Sequence, residues 1–195
     1  MDKGILVAVC ARSEWLLEGW WSAYSQYNAY PVCFVDLGMS KKALAWAQDK
    51  GSVIQVKIGN ENKVVNPLIL QHSPFQITIW MELNCQVLTS LKGLFEELTE
   101  DKDIAFCLHK NETGKTFDPG VIVLKKNACL MSLWMEKGHP FQVESLASFK
   151  ELNSIYSWIP SWGPNSSAII LKWPLTTRKL FIDPLPIKTQ ISPSF

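Results

Sequence analysis

The sequence has few charges, few histidines and no paired cysteines. Only 19% of its 195 residues are Asp, Glu, Lys or Arg, and 19 basic residues stand against 18 acidic ones, a formal charge of +1. A nucleic-acid binder needs a basic face to release counterions from the phosphate backbone, so the near-zero balance excludes that class. The five cysteines, Cys10, Cys33, Cys85, Cys107 and Cys129, are spread along the chain with no CxxC spacing. Structural zinc wants close pairs, so that reading fails and small buried hydrophobes in a reducing compartment remain. His72, His109 and His139 stand too far apart for a metal motif and read as surface or satisfied core positions.

Other signatures are missing too. No GxSxG occurs, which removes the serine hydrolase of α/β type. Gly114-Lys115-Thr116 resembles the end of a phosphate loop, but His109 stands where that loop needs its first glycine. No stretch reaches the roughly 18 to 20 apolar residues that span a bilayer. The run Ile5 to Ala11 is too short for a signal peptide and reads as a strand. The sequons at Asn111 and Asn165 then read as chance matches, and the expected location is the cytoplasm.

What is present is apolar content: 47% of the chain, with 9 Trp. That excludes a disordered chain, and the length suits one domain with a sizeable core. Ile5–Cys10 reads as a strand buried on both faces. Ser13 is placed to cap a helix whose Leu16, Leu17, Trp20, Trp21 and Tyr24 form one apolar stripe. Val32–Val35 is a second strand ending at Asp36. Ser40 caps a second helix through Lys50, with Gly51 as its stop. Ser52–Ile58 is a third strand. Strand alternating with helix argues for a mostly parallel sheet with crossover helices on both faces.

Further along, the pattern predicts a short helix over 64–71, a strand over Ile77–Met81 and a helix over 91–98. Strands follow at 104–108 and 121–124, helices over 128–137 and 143–155, and a strand at 168–171. The last stretch, 183–195, contains Pro184, Pro186 and Pro193 and reads as a tail beyond a single domain of residues 1–182.

In open α/β sheets, ligands bind outside the carboxyl ends of the strands. Arg12 and Ser13 follow the first strand, Asp36 ends the second, and Glu82-Leu83-Asn84 follows the fourth. In an extended chain Glu82 and Asn84 would share one side, and their oxygens could hold Mg²⁺ or Mn²⁺. A polar strand end meeting solvent fits the same residues. The segment Trp158-Ile159-Pro160-Ser161-Trp162-Gly163-Pro164 reads as a loop that either covers an edge of the domain or offers indole faces to a sugar.

Asn66 to Phe75, then Ile79 to Leu88, then Leu91 to Phe95, resemble one continuous signature of GT-A fold glycosyltransferases of the glycogenin-like and galactosyltransferase-like group. There a KP helix and an SPF turn lead into a strand ending in Asp-x-Asp. Phe117-Asp118-Pro119-Gly120-Val121 resembles the family's Asn-x-Gly-Val segment, and the likeness covers roughly residues 4–137. It implies a single GT-A-like domain that transfers a sugar from a nucleotide-sugar to an acceptor. Arg12, Ser13, Asp36 and Arg178 would lie around the nucleotide and diphosphate.

In the family the Asp-x-Asp pair holds a divalent cation that neutralises the leaving group. By position that pair falls on Glu82 and Asn84, with one formal charge in place of two, which implies a weakened Mn²⁺ or Mg²⁺ site. Restoring Glu82→Asp with Asn84→Asp would then strengthen Mn²⁺ binding. The family's later histidine ligand falls on Lys172, in Lys172-Trp173-Pro174-Leu175-Thr176-Thr177-Arg178. Two readings follow: Lys172 and Arg178 supply positive charge for a metal-independent transfer, or the chain is an inactive relative that binds a nucleotide, a glycan or a protein. Asp118 adds a carboxylate on the acceptor side, as base or nucleophile, or as the cap of a turn before Pro119.

Overall fold

The computed structural model describes residues 2–56, 67–111, 114–128, 149–163 and 165–173. Arg178, Cys129, His139, the stretch 183–195, nearly all of the expected helix over 128–137, and the starts of the helices over 64–71 and 143–155 lie outside them.

The first half follows the expected alternation. Strands β1 (Lys3–Val9), β2 (Val32–Asp36) and β3 (Ser52–Gln55) are joined by helices α1 (Leu17–Ser25) and α2 (Lys41–Lys50). Then come α3 (Pro67–Gln71), β4 (Ile77–Met81), β5 (Cys85–Val87), α4 (Lys92–Phe95), β6 (Ile104–Asn111), β7 (Gly114–Lys125), β8 (Phe149–Leu152) and β9 (Ile170–Lys172). Seven strands form one sheet in the order β3-β2-β1-β4-β7-β6-β8, and β5 pairs with β9 in a separate ribbon. The pairs β3–β2, β2–β1, β1–β4 and β6–β8 are parallel, whereas β7 runs antiparallel to both β4 and β6. The carboxyl ends of β1, β2, β3, β4, β6 and β8 therefore meet at one edge of the sheet. The order reverses between β1 and β4, the topological switch point where ligand crevices form.

Alternation along β1 sorts the core into two layers. Ile5, Val7 and Val9 face a cluster with Trp20, Tyr24, Phe34, Ala47 and Phe95, and Leu6 faces the opposite cluster with Ile69, Leu70, Phe75 and Trp80. Helices α1, α2 and α4 thus cover one face and α3 the other. Much of the tryptophan surplus belongs here. Trp20 and Trp80 are fully buried; Trp46 packs edge to face on both Trp21 and Phe34, and Trp21 lies tilted on Phe34, tying α1 and α2 to β2.

Several expectations are corrected. Ser40 caps α2 as expected, accepting from Ala43 N at 3.2 Å with extended backbone. Ser13 does not cap: its backbone is already helical, and its hydroxyl turns back on Cys10. Helix α2 ends at Lys50 and Gly51 follows as its stop, as expected, in extended backbone at φ −170°; a Cβ there would lie 2.3 Å from Val32 O. The helix over 91–98 shrinks to Lys92–Phe95. Where a helix was expected up to Ile155, Phe149–Leu152 is an edge strand on β6. Phe149 stacks on Phe106 at 4.4 Å and Leu152 is buried, and that tertiary packing overrides local helix preference.

Candidate active site

Glu82 and Asn84 do not lie on an extended segment. Cys85 N donates to Glu82 O at 3.0 Å, closing a β-turn over 82–85 that sends the two side chains to different partners. Asn84 is 5% exposed and donates through Nδ2 to Trp173 O at 2.7 Å, while its Oδ1 has no hydrogen-bond partner among the described residues. Glu82 instead meets Lys172, with Nζ 3.2 Å from Oε2.

Lys172 arrives from β9, where it lies opposite Cys85 of β5 and donates its N–H to Trp158 O at 2.8 Å. Its stem crosses Gly120, where a Cβ would come within 2.8 Å of Lys172 Cδ and 2.9 Å of Nζ. A side chain at 120 would push the end of Lys172 aside. The ammonium also contacts Asp118 Oδ1.

Asp118 reaches this point because β7 is irregular. Phe106 pairs with Ile122, yet Leu108 pairs with Phe117, so Asp118 to Val121 face the single residue Cys107. This is a wide bulge around Pro119, the kind of irregularity that re-aims a side chain. Trp80 Nε1 fixes it by donating to Pro119 O at 3.0 Å. Asp118 Oδ1 accepts from Gly120 N at 2.9 Å, so the expected turn cap before Pro119 is an Asx-type bond inside a strand. Oδ2 accepts from Ser157 Oγ and lies 3.0 Å from His109 Nε2.

Two carboxylates around one ammonium titrate in opposite directions. Burial raises Asp118, but hydrogen bonds from His109, Lys172 and Ser157 outweigh it and hold the carboxyl well below the usual range. Burial also raises Glu82, and its single contact with Lys172 does not overcome that. Burial would lower Lys172, but Glu82 and Asp118 hold its ammonium well above the ordinary lysine value. Asp118 is thus saturated with donors and poorly suited to act as a base. The site does not fit a divalent cation while Lys172 is in place, because both carboxylates are already bonded to a positive charge.

The other expected residues lie along the same edge. Arg12 is exposed on the turn after β1. Asp36 orders the loop after β2: Oδ1 accepts from Met39 N at 2.7 Å and Gly38 N at 2.8 Å, and Oδ2 from Gln55 Nε2 at 3.2 Å. Burial raises its carboxyl, but these bonds lower it overall. Beyond the cluster, at the carboxyl ends of β6 and β8, is a cleft of about 460 Å³ lined by Leu108, His109, Glu151, Asn153, Ser154 and Trp158. The Trp158 ring is fixed by donation from Nε1 to Gly163 O at 2.9 Å.

Sequence reasoning missed Ser157, read His109 only as a surface or satisfied core position, and noted Gly120 only within the 117–121 segment. Their meeting at Asp118 has no local signal, because a three-residue slip in the β6–β7 register and the seating of β9 produce it. Among the described residues no three His, Cys, Asp or Glu side chains converge as a metal cluster, and no helix is long and apolar enough to cross a membrane.

No known protein-family description matches the sequence, and no curated protein is similar to it in sequence. Solved structures are similar in fold. The glycosyltransferase GlyE of Streptococcus pneumoniae superposes with a TM-score of 0.67 at 11% identity, covering 88% of this chain and 55% of GlyE. Mouse xyloside xylosyltransferase 1 gives 0.63 at 13% identity, over 88% of this chain and 97% of that one. The galactosyltransferase LgtC, crystallised with donor and acceptor sugar analogues, gives 0.58 at 11% identity over 89% and 87%. The chain spans little more than half the length of GlyE. The fold is of the GT-A type, as the sequence resemblance implied.

Proposed function

From a fold shared with glycosyltransferases, we propose that this chain binds a nucleotide-sugar in the crevice at the carboxyl ends of β1 and β4 and transfers the sugar to an acceptor. The observation that carries the reading is the Lys172 ammonium, fixed beside the end of β4 at the switch point of the sheet. An ammonium has three donors, and Glu82 and Asp118 take two. The third is available to a diphosphate oxygen, where a preset positive charge stabilises the leaving group without reorganisation.

In this reading Arg12, Ser13, Asp36 and Arg178 border the nucleotide, and Lys172 faces the diphosphate. Asp118 positions Lys172 instead of acting as base or nucleophile, and His109 and Ser157 hold Asp118. The acceptor enters by the cleft beside His109, with the Trp158 face against the apolar side of a sugar ring and Asn153 and Glu151 toward its hydroxyls. In this reading the described residues act as one domain. The free Cys10, Cys33, Cys85 and Cys107 support a reducing, cytoplasmic setting.

A second reading, an inactive module that binds a nucleotide, glycan or protein in the same crevice, is favoured by one observation. Glu82, Asp118 and Lys172 sum to a net negative charge unless His109 is protonated, which opposes an incoming diphosphate. Thermal shift with UDP-, GDP- and CMP-sugars in chelator, followed by donor turnover, separates the two. Stabilisation by one donor with sugar release supports transfer, stabilisation without turnover supports the module, and no shift with any donor refutes the donor crevice.

A further inference from the structure

A cation already stands in this crevice. Lys172 Nζ lies 3.2 Å from Glu82 Oε2 and in contact with Asp118 Oδ1, and these carboxylates come from separate elements, the turn after β4 and the bulge of β7. The ammonium is no loose surface group: its side chain is 17% exposed, its backbone is locked in β9, and its stem fills the space over Gly120. Two carboxylates converging on one positive centre form the core of the oxygen set that a hard divalent ion takes. Here the positive centre is covalently part of the chain.

We infer that Lys172 is a resident counter-ion: its ammonium occupies the place between Glu82 and Asp118 that a divalent cation would need, and excludes such a cation by charge and by space. The carboxylates cannot serve both, since a divalent ion would have to displace the ammonium and then face it unpaired in a low-dielectric pocket. Asn84 does not compensate for the charge: its Nδ2 donates to Trp173 O, and its Oδ1 is a neutral oxygen. The expectation that Glu82→Asp with Asn84→Asp strengthens Mn²⁺ binding changes accordingly: restoring the acids does nothing while the ammonium remains. The inference deepens the proposed reading of the site and rests on it only for naming this the donor crevice. Cation exclusion is measured with neither donor nor acceptor present.

The experiment is Mn²⁺ titration of the full chain near neutral pH, with free Mn²⁺ read by electron paramagnetic resonance. The wild-type chain shows no site up to about 1 mM, the weak end of oxygen-ligand cation sites. Lys172→Met, which keeps the stem and removes the charge, gains a site at least about tenfold tighter than this limit, the scale on which local groups tune metal affinity. Adding Asp118→Asn to Lys172→Met abolishes it. Glu82→Asp with Asn84→Asp, Lys172 retained, gains none. Mn²⁺ also raises the melting temperature of Lys172→Met and leaves that of the wild type unchanged. A wild-type Mn²⁺ site lost with Asp118→Asn overturns the inference, as does a gain in the Glu82→Asp, Asn84→Asp variant or a folded Lys172→Met that binds nothing. If Lys172→Met folds only with Mn²⁺, the inference stands. If it is unfolded in either condition, Lys172→Gln takes its place, and the same failure there counts against it. Failure of the transferase reading shows separately, as absent donor binding in every variant, and leaves the Mn²⁺ result standing.

Discussion

Removing Asp118 and Lys172 singly and together tests whether the buried charge cluster acts as one unit. The side chains of Asp118, Glu82 and Lys172 are 0%, 13% and 17% exposed, so their charges are poorly screened by water. Asp118→Asn keeps the shape and an acceptor for Gly120 N, but leaves the ammonium with Glu82 alone. Breaking one partner of a buried pair costs about 3–5 kcal/mol, and the lower end applies because one carboxylate remains. Lys172→Met leaves two buried carboxylates without their cation, which places it near the upper end, about 5 kcal/mol. The double variant leaves only Glu82, whose carboxyl is already raised by burial and can take a proton at modest cost. Its loss should fall short of the sum of the singles by about 2–3 kcal/mol, the range of coupling between residues in one network. Urea unfolding followed by tryptophan fluorescence reads all four corners of the cycle. Additive losses, or single losses under about 1 kcal/mol, would show an exposed pair in place of a buried network.

Three further outcomes follow from the same structure. Asp118 is held below its unfolded value of about 3.9, so its contribution is full above that pH and lost as pH falls through the folded value; the urea midpoint of the wild type should drop below about pH 4 more steeply than that of Asp118→Asn, and equal acid limbs would contradict it. Glu82 has the opposite sign, since a raised carboxyl makes protonation stabilising, so Glu82→Gln should remove a small gain in stability on approaching that range from neutrality. Gly51→Ala drives a Cβ to 2.3 Å from Val32 O, and the enforced shift of backbone should cost about 1–3 kcal/mol in urea unfolding. An unchanged midpoint there would mean that the α2–β3 connection is not packed as described.

Residues with strong local signals were legible in the sequence. Ser40 before Lys41–Lys50 has the capping chemistry, and the structure forms it. The apolar runs at 5–9, 32–35 and 77–81 read as strands, the first buried on both faces, and their alternation with helices argued for a mostly parallel sheet. Ser13 was misread because capping depends on backbone conformation as well as on residue type. Phe149–Leu152 was misread because an edge strand is selected by the sheet that receives it. Glu82 and Asn84 were placed at the right strand end but given the wrong geometry, since the Cys85 N to Glu82 O bond curls what had been read as extended.

The sequence by itself determined the class of fold and which strand ends would be polar, because hydrophobic period and strand-end chemistry are local properties of the chain. Its resemblance implied, in addition, that a lysine stands where the family has a metal ligand. Only the tertiary structure decided what that lysine does. Asp118 and Lys172 are 54 residues apart, and a bulge in β7 and the pairing of β9 with β5 bring them into contact. Burial then sets their charges against one another. A residue's type can be read in isolation, but the sign of its pKa shift depends on what surrounds it, and that exists only once distant segments have packed.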